Sequence, residues 1–508
     1  MSQTSVILTS SGLSIPDVVA VSRDGATVAI DPAAAERADA SRVAIDRLLA
    51  KGDAIYGVNT GFGKLATVRI APDKLVELQR NLILSHVSGV GEPLSVDVVR
   101  AVMLLRANVL LRETSGVRAR VVQQIADMLN AGIHPVVPEQ GSVGASGDLA
   151  PLAHIAYGMM GEGDVVIRET GYGTRDQDRL TAREALEGAG IEPLEFLPKE
   201  ALSFINGTQV QTAILATVVH DARNLWRSAV GAAAMSVEAL MGTPAPFDER
   251  IHEARPHPGQ VRAAALMREL LADSEIRESH RVGDPRVQDA YSLRCSPQIL
   301  GPVVDAVEFA ASVADIELNA STDNPLVFGE EVLSGGNFHG QPIALALDIL
   351  SIVLTTLAGL AERRLDRLMN PEVSQGLPAF LAHDPGLHSG LMMMQIVAAS
   401  LVGESRTLST PASVQSIPTD ANQEDVVPMG MASAIKARRV LANAQRVVAS
   451  ELIAGAQGLE FRKPLRPGRG VERLYDRVRA LVPVYERDRP LTEDVERVAR
   501  AVAKEALV

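Results

Sequence analysis

This sequence predicts a mainly α fold: a bundle of long, buried helices with a smaller mixed N-terminal region. Three observations carry that expectation. Hydrophobic residues make up 46% of the chain but aromatics only 3%. Ala, Leu and Val dominate, a mixture that suits packed helices better than sheets. Several helix-patterned runs are apolar nearly all round, the mark of helices buried on every side. The 508 residues allow about three domains or one large body. The expected divisions are 1–205, 206–460 and 461–508, read as parts of one continuous unit.

Short β segments are expected at Ser5 to Leu8 and Val18 to Val21, followed by a helix from Pro32 to Ala50. Tyr56-Gly57-Val58-Asn59-Thr60-Gly61-Phe62-Gly63 reads as a sharply bent or mobile loop, because glycine tolerates positive φ. Helices follow at Lys74 to Ser85, Val96 to Arg112 and Val117 to Ala131, with Pro135 and Pro138 ending the run. Glu139 to Asp148 is turn chemistry. Asp148 is placed to cap the next helix, which tolerates Pro151 in its first turn. Residues 165–195 read as a polar surface excursion. From Asn206 to Met241 the pattern is helical, a span of about 54 Å. Further helices are expected at Pro302 to Ala320, Gln341 to Met369, Ser389 to Ser405 and Met431 to Gln457. A basic linker after Phe461 leads to a charged terminal helix pair. There is no internal repeat.

Composition removes several classes of function. The formal charge of −13 is the wrong sign for a phosphate-binding face, so a nucleic-acid partner is not expected. The stretch Ile343 to Ala361 is apolar enough to suggest a membrane span, but Asp348, Ser351, Thr355 and Thr356 make it a core helix instead. The N-terminus lacks the basic and apolar regions of a secretory signal. A cytoplasmic protein is expected. Cys295, the single cysteine, rules out an intrachain disulfide and reads as a packed small residue. No HExxH spacing occurs among the ten histidines, so no metal site is expected. Lys64 after the 57–63 loop suggests a phosphate loop, but Val58 and Leu65 break that motif. There is no dinucleotide fingerprint and no G-x-S-x-G elbow. Catalysis therefore needs a device made from the chain itself.

Gly144-Ala145-Ser146-Gly147-Asp148 can supply one. If the bend brings the Gly147 nitrogen onto the Ala145 carbonyl carbon, the backbone can cyclise. Loss of water, with dehydration of Ser146, gives a 4-methylidene-imidazole-5-one ring. Gly147 brings a nitrogen without a Cβ clash. Ser146 supplies the hydroxyl that leaves, and Ala145 is small enough for the bend. A helix starting near Asp148 would aim its positive pole at the ring. Read alone, the same residues also make an ordinary turn and N-cap.

Gly144-Ala145-Ser146-Gly147-Asp148-Leu149-Ala150-Pro151-Leu152 resembles the prosthetic-group segment of the aromatic amino acid ammonia-lyases, and most closely their histidine-specific members. The similarity runs from Tyr56 to Gln423-Glu424-Asp425. It implies an elongated α-helical bundle assembled as a homotetramer whose active sites are shared between subunits. It implies the ring at Ala145, Ser146 and Gly147 as cofactor, with no external one. The implied reaction is loss of ammonia from the α-carbon with removal of a β-proton. Tyr56 matches the family's catalytic base. Its phenol, ordinarily near pKa 10, would need lowering by helix poles and cations. Its glycine-rich neighbours fit a lid that excludes water. By the same resemblance Arg294 grips the substrate carboxylate as a bidentate fork. Tyr291 assists ring formation or proton handling, Gln288 lines the site, Asn206 bonds the carboxylate or amine, and Phe338 packs on the ring.

Three places bear on the substrate. The family's histidine enzymes carry the Ser85-His86 pair and a glutamate at the position of Glu424. Met392 also matches. A carboxylate suits an imidazole and penalises an apolar ring. The resemblance thus implies L-histidine as substrate and trans-urocanate as product. Glu424-Asp425-Val426-Val427-Pro428-Met429 departs from the usual histidine pattern, however, and Val426 and Pro428 lean toward tyrosine-type enzymes. An L-tyrosine or L-phenylalanine lyase, or a 2,3-aminomutase, stays open. So does a different class, a non-catalytic helical assembly protein that keeps the fold without the ring.

Overall fold

The computed structural model describes residues 5–9, 11–52, 54–167 and 179–508. Residues 168–178 of the excursion expected at 165–195 lie outside them; within the rest, Ala182–Gly188 is a helix capped by a Thr181/Glu184 box. Helices dominate, and strands are short and concentrated toward the N-terminus. The chain forms two compact units. One comprises 1–217, 311–348 and 411–435; the other comprises 218–310, 349–410 and 436–508. Neither follows a single stretch of sequence.

In the first unit Ser5–Leu8 pairs in parallel with Thr27–Ile30. The connection between them contains the helix Ile15–Ser22. The strand expected at Val18 to Val21 is therefore helix. Its β-branched residues are overridden by a start signal: Ser14 and Asp17 form a reciprocal capping box, with a proline in the first turn. The helix Val96–Leu110 buries every residue except Asp97, as an all-round apolar pattern requires. Fully burying each Leu or Val contributes about 1.5–3 kcal/mol, so such a helix is held by packing rather than propensity.

The mainly apolar interior of the second unit also holds polar contacts that only a specific packing can satisfy. The Trp226 indole donates to the Leu300 carbonyl at 2.8 Å. Arg364 and Glu451, both fully buried, pair through two hydrogen bonds of 2.5 and 2.8 Å. Ser236 donates to the same carboxylate at 2.7 Å. Removing one partner of such a pair costs about 3–5 kcal/mol. Arg364 stands in Gln341–Met369, which is long and apolar enough to cross a membrane but is mostly buried within the protein. The terminal helices Arg469–Leu481 and Thr492–Lys504 each bury one face, through Val471, Leu474 and Val478 on one and Val498 and Val502 on the other.

Three boundaries differ from expectation in ways that bear on function. The helix expected from Asn206 begins at Gln209 and ends at Ala239, which frees Asn206-Gly207-Thr208 as a backbone turn. The helix expected from Pro302 runs from Ser296 to Glu317 with Pro302 inside it. The helix expected from Ser389 starts at Met392. Gly390, at φ 61°, bends the chain just before it.

Candidate active site

The first unit brings together five of the residues singled out above: Tyr56, His86, Ser146, Asn206 and Glu424. Ser146 Oγ donates to Glu424 Oε1 at 2.5 Å, and Asn206 Nδ2 donates to the Ser146 carbonyl at 2.7 Å. The other oxygen of Glu424 accepts from Thr419 Oγ1 at 2.5 Å. Thr419 and Glu424 also exchange backbone hydrogen bonds. The carboxylate is thus fixed from both sides and aimed at the serine.

The Ala145-Ser146-Gly147 segment is a bend that ends on a left-handed glycine. Gly147 has φ 74°. A Cβ there would lie 2.2 Å from the Gly207 carbonyl oxygen, so only glycine fits at this position. Ala145 is buried. Asp148 occupies the N-cap position of Leu149–Met159 but makes no side-chain cap to it. Its carboxylate accepts instead from the Val210 and Gln211 amides, each at 3.0 Å. The side chains of Gln211 and Ser142 add donors at 2.9 Å each. Asp148 therefore caps the first turn of Gln209–Ala239, a contact between segments more than 60 residues apart. Burial pushes its carboxyl up, and these four hydrogen bonds oppose that.

Tyr56 lies in a bent loop, with Gly57 at φ 64° and Gly63 at φ 52°. Its Oη accepts from the Gly63 amide at 3.0 Å. Burial pushes the phenol above its ordinary value of 10.0, the Gly63 hydrogen bond lowers it, and the carboxylates of Asp420 and Glu424 raise it further. Within this unit burial is the largest influence on the phenol, and the acids beside the loop add to it. His86 closes Leu75–His86. Its Nδ1 lies 2.8 Å from the Leu82 carbonyl. A carbonyl only accepts, so that nitrogen carries the proton and Nε2 keeps its lone pair. Burial pushes the imidazole below its ordinary value, against the Leu82 hydrogen bond and the charge of Glu424.

Phe338, half-buried, is held beside the turn through its neighbours. The Gly340 amide donates to the Gly144 carbonyl at 2.9 Å, and His339 Nε2 donates to the Val426 carbonyl at 3.1 Å. The two departures from the histidine pattern are placed differently. Val426 is 60% exposed. Pro428 packs at the turn, where a Cβ on Gly144 would meet its Cγ at 3.2 Å.

Gln288, Tyr291, Arg294 and Met392 belong to the second unit. Tyr291 opens the short helix Tyr291–Arg294 and is 70% exposed. The Arg294 guanidinium stands 4.9 Å from the centre of its ring, in cation–π range. Arg294 Nε is buried with no partner among the described residues. Gln288, with Arg286 and Asp289, lines a small cavity. Met392 starts its helix after Ser389 and Gly390, whose amides both donate to Asp488, at 2.9 and 3.1 Å.

Sequence reasoning missed Thr419 and Asp420. Asp420, Ala421 and Asn422 all have positive φ, a left-handed run that nothing in their local pattern announces. Asp420 packs on Gly63 so closely that a Cβ there would lie 2.2 Å from its Oδ2.

The family model for "Aromatic amino acid lyase" matches residues 13–480. The chain is 47% identical to a histidine ammonia-lyase of Myxococcus xanthus over 504 residues, covering 99% of this chain and 97% of the relative. It superposes on the crystal structure of histidine ammonia-lyase from Trypanosoma cruzi with a TM-score of 0.90 at 40% identity, covering 99% and 94%. A tyrosine aminomutase from Streptomyces globisporus is similar with a TM-score of 0.91 at 39% identity, covering 99% and 97%.

Proposed function

The chain belongs to the aromatic amino acid lyase family, and from that premise we propose that it eliminates ammonia from L-histidine to give trans-urocanate. It is a carbon–nitrogen lyase; the non-catalytic alternative falls with that assignment. One observation carries the choice of substrate: the Glu424 carboxylate is fixed 2.5 Å from Ser146 Oγ. An acid held at the reacting turn suits an imidazole and is left unpaired beside an apolar ring.

The ring formed from Ala145, Ser146 and Gly147 supplies an electrophile that turns the amine into a leaving group. The rest falls to side chains. Tyr56 Oη takes the β-proton. Arg294 holds the carboxylate in its fork, and Asn206 adds a hydrogen bond. Glu424 accepts from the imidazole and His86 offers the lone pair of Nε2. Phe338 packs at the ring, Tyr291 assists proton handling, and Gln288 and Met392 complete the walls. Burial and two nearby acids raise the Tyr56 phenol; Arg294 of another copy is the cation proposed to offset them. The working form is accordingly a homotetramer with shared sites. With one cysteine and no disulfide option, it suits a reducing cytoplasm.

A second reading, an L-tyrosine lyase or aminomutase, is favoured by Pro428 lying against Gly144. An amino-acid panel, followed by acrylate absorbance and ammonia release, decides between them. L-histidine should be turned over fastest at neutral pH; preference for L-tyrosine would refute the histidine reading and leave the ring chemistry standing.

A further inference from the structure

We propose that Arg106 is a positioning residue for the backbone cyclisation: its guanidinium holds Gly207 against Gly147, and so keeps the Gly147 nitrogen toward the Ala145 carbonyl carbon. The inference rests on the reading that the ring forms. Arg106 lies in Val96–Leu110 and is completely buried. Nη2 donates to the carbonyl of Ser203, in the last turns of Glu200–Ile205. Nη1 donates to Oε1 of Gln209, the first residue of Gln209–Ala239. One planar fork thus ties together the two helix ends that flank Asn206-Gly207-Thr208. Lysine, a single point charge, cannot span two acceptors in that way.

Gly207 is gripped from both sides. A Cβ on it would lie 2.2 Å from Arg106 Nη1, and a Cβ on Gly147 would lie 2.2 Å from the Gly207 oxygen. The Gly207 carbonyl accepts from the Asp148 amide at 2.7 Å, while Asn206 binds the Ser146 carbonyl. Guanidinium, Gly207 backbone and the Gly147-Asp148 backbone form one contact chain that reaches the residue proposed to react. Packing alone does not account for this residue. Its Nε is buried with no partner among the described residues, and an apolar side chain would fill the same space without stranding a donor. Burial lowers the guanidinium to about 10, against the charges of Asp323 and Asp148, so it stays charged at neutral pH.

Cyclisation needs closeness and no outside reactant. The Gly147 nitrogen bonds to the Ala145 carbonyl carbon. The Ala145 oxygen leaves as water, taking the protons of the Gly147 and Ser146 amides. The second water takes the Ser146 hydroxyl and α-proton. A loss of alignment of about 1 Å can cost 100-fold in such a step.

Full-length Arg106→Lys and Gln209→Leu proteins test the proposal. Intact mass is read on the folded fraction isolated by size exclusion, alongside kcat and KM. Wild type should be short by two waters. In folded Arg106→Lys the fraction showing that deficit should fall about tenfold or more. Its kcat should fall in proportion, with KM unchanged, because fewer sites are armed but each armed site is intact. Gln209→Leu, which removes one acceptor, should show a smaller loss of the same kind. It decides the matter if Arg106→Lys does not fold. A full two-water deficit in the folded variant overturns the proposal. An unmodified mass in wild type would instead overturn the ring reading on which it rests.

Discussion

The cluster around Ser146 and the cluster around Arg294 are opposites. The first is internally bonded and acidic: Ser146, Asn206, Thr419 and Glu424 satisfy one another, and Tyr56 is pushed away from ionising. The second is cationic and open. Tyr291 is mostly exposed and Arg294 has a buried nitrogen with no partner among the described residues. A cluster that makes the electrophile has to be rigid and self-contained before substrate arrives. A cluster that grips substrate has to keep donors unspent. The contrast teaches that, within its own unit, burial and the nearby acids outweigh the Gly63 hydrogen bond that favours ionisation of Tyr56.

The largest effect should come from breaking the first cluster at its reacting atom. Ser146→Ala should reduce turnover to the assay floor, restore the full unmodified mass and leave circular dichroism unchanged, since the serine's role is chemical. Tyr56→Phe should follow, with turnover down about 10²–10⁴-fold and stability lower by only about 1 kcal/mol for the lost Gly63 hydrogen bond. A fall of less than about tenfold would point to Glu424 as base. Glu424→Gln removes a charge-assisted hydrogen bond worth roughly 1.5–3 kcal/mol, so kcat/KM for L-histidine should drop about 10- to 100-fold. L-tyrosine turnover should change much less.

The smallest effects sharpen the contrast most, because their signs differ. As the proposed base, Tyr56 has to lose its proton to act, so a raised pKa moves the ascending limb of the kcat/KM profile to higher pH. Glu424 raises the phenol; Glu424→Gln should therefore shift that limb toward lower pH. Arg294→Ala removes the proposed offsetting cation and should shift it toward higher pH. Shifts of the same sign in both variants would end the argument from opposite charge.

Much of this was legible in the sequence where the information is local. The turn chemistry of Ala145-Ser146-Gly147 is read from contiguous residues, Tyr56 and Glu424 stand in contiguous motifs that carry the family resemblance, and the all-round apolar runs announce the buried helices. What could not be read is long-range. Asp148 looks like the cap of its own helix but caps the one that starts at Gln209. Within its own unit Tyr56 is raised chiefly by burial, with Asp420 adding to it through a left-handed turn that has no local signature. The strand expected at Val18 to Val21 was a different error, since Ser14 and Asp17 already announced the helix. There the cap outweighs the β-branched residues.

The central claim is that the two clusters complete each other across copies of the chain. Co-assembly of Tyr56→Phe with Arg294→Ala tests it most directly. Each variant alone should be nearly inactive. If Tyr56 and Arg294 of a working site come from different copies, random mixing in a symmetric oligomer should restore up to about a quarter of wild-type turnover. If mixed oligomers regain nothing, one copy supplies both residues, and the account of a shared site is wrong.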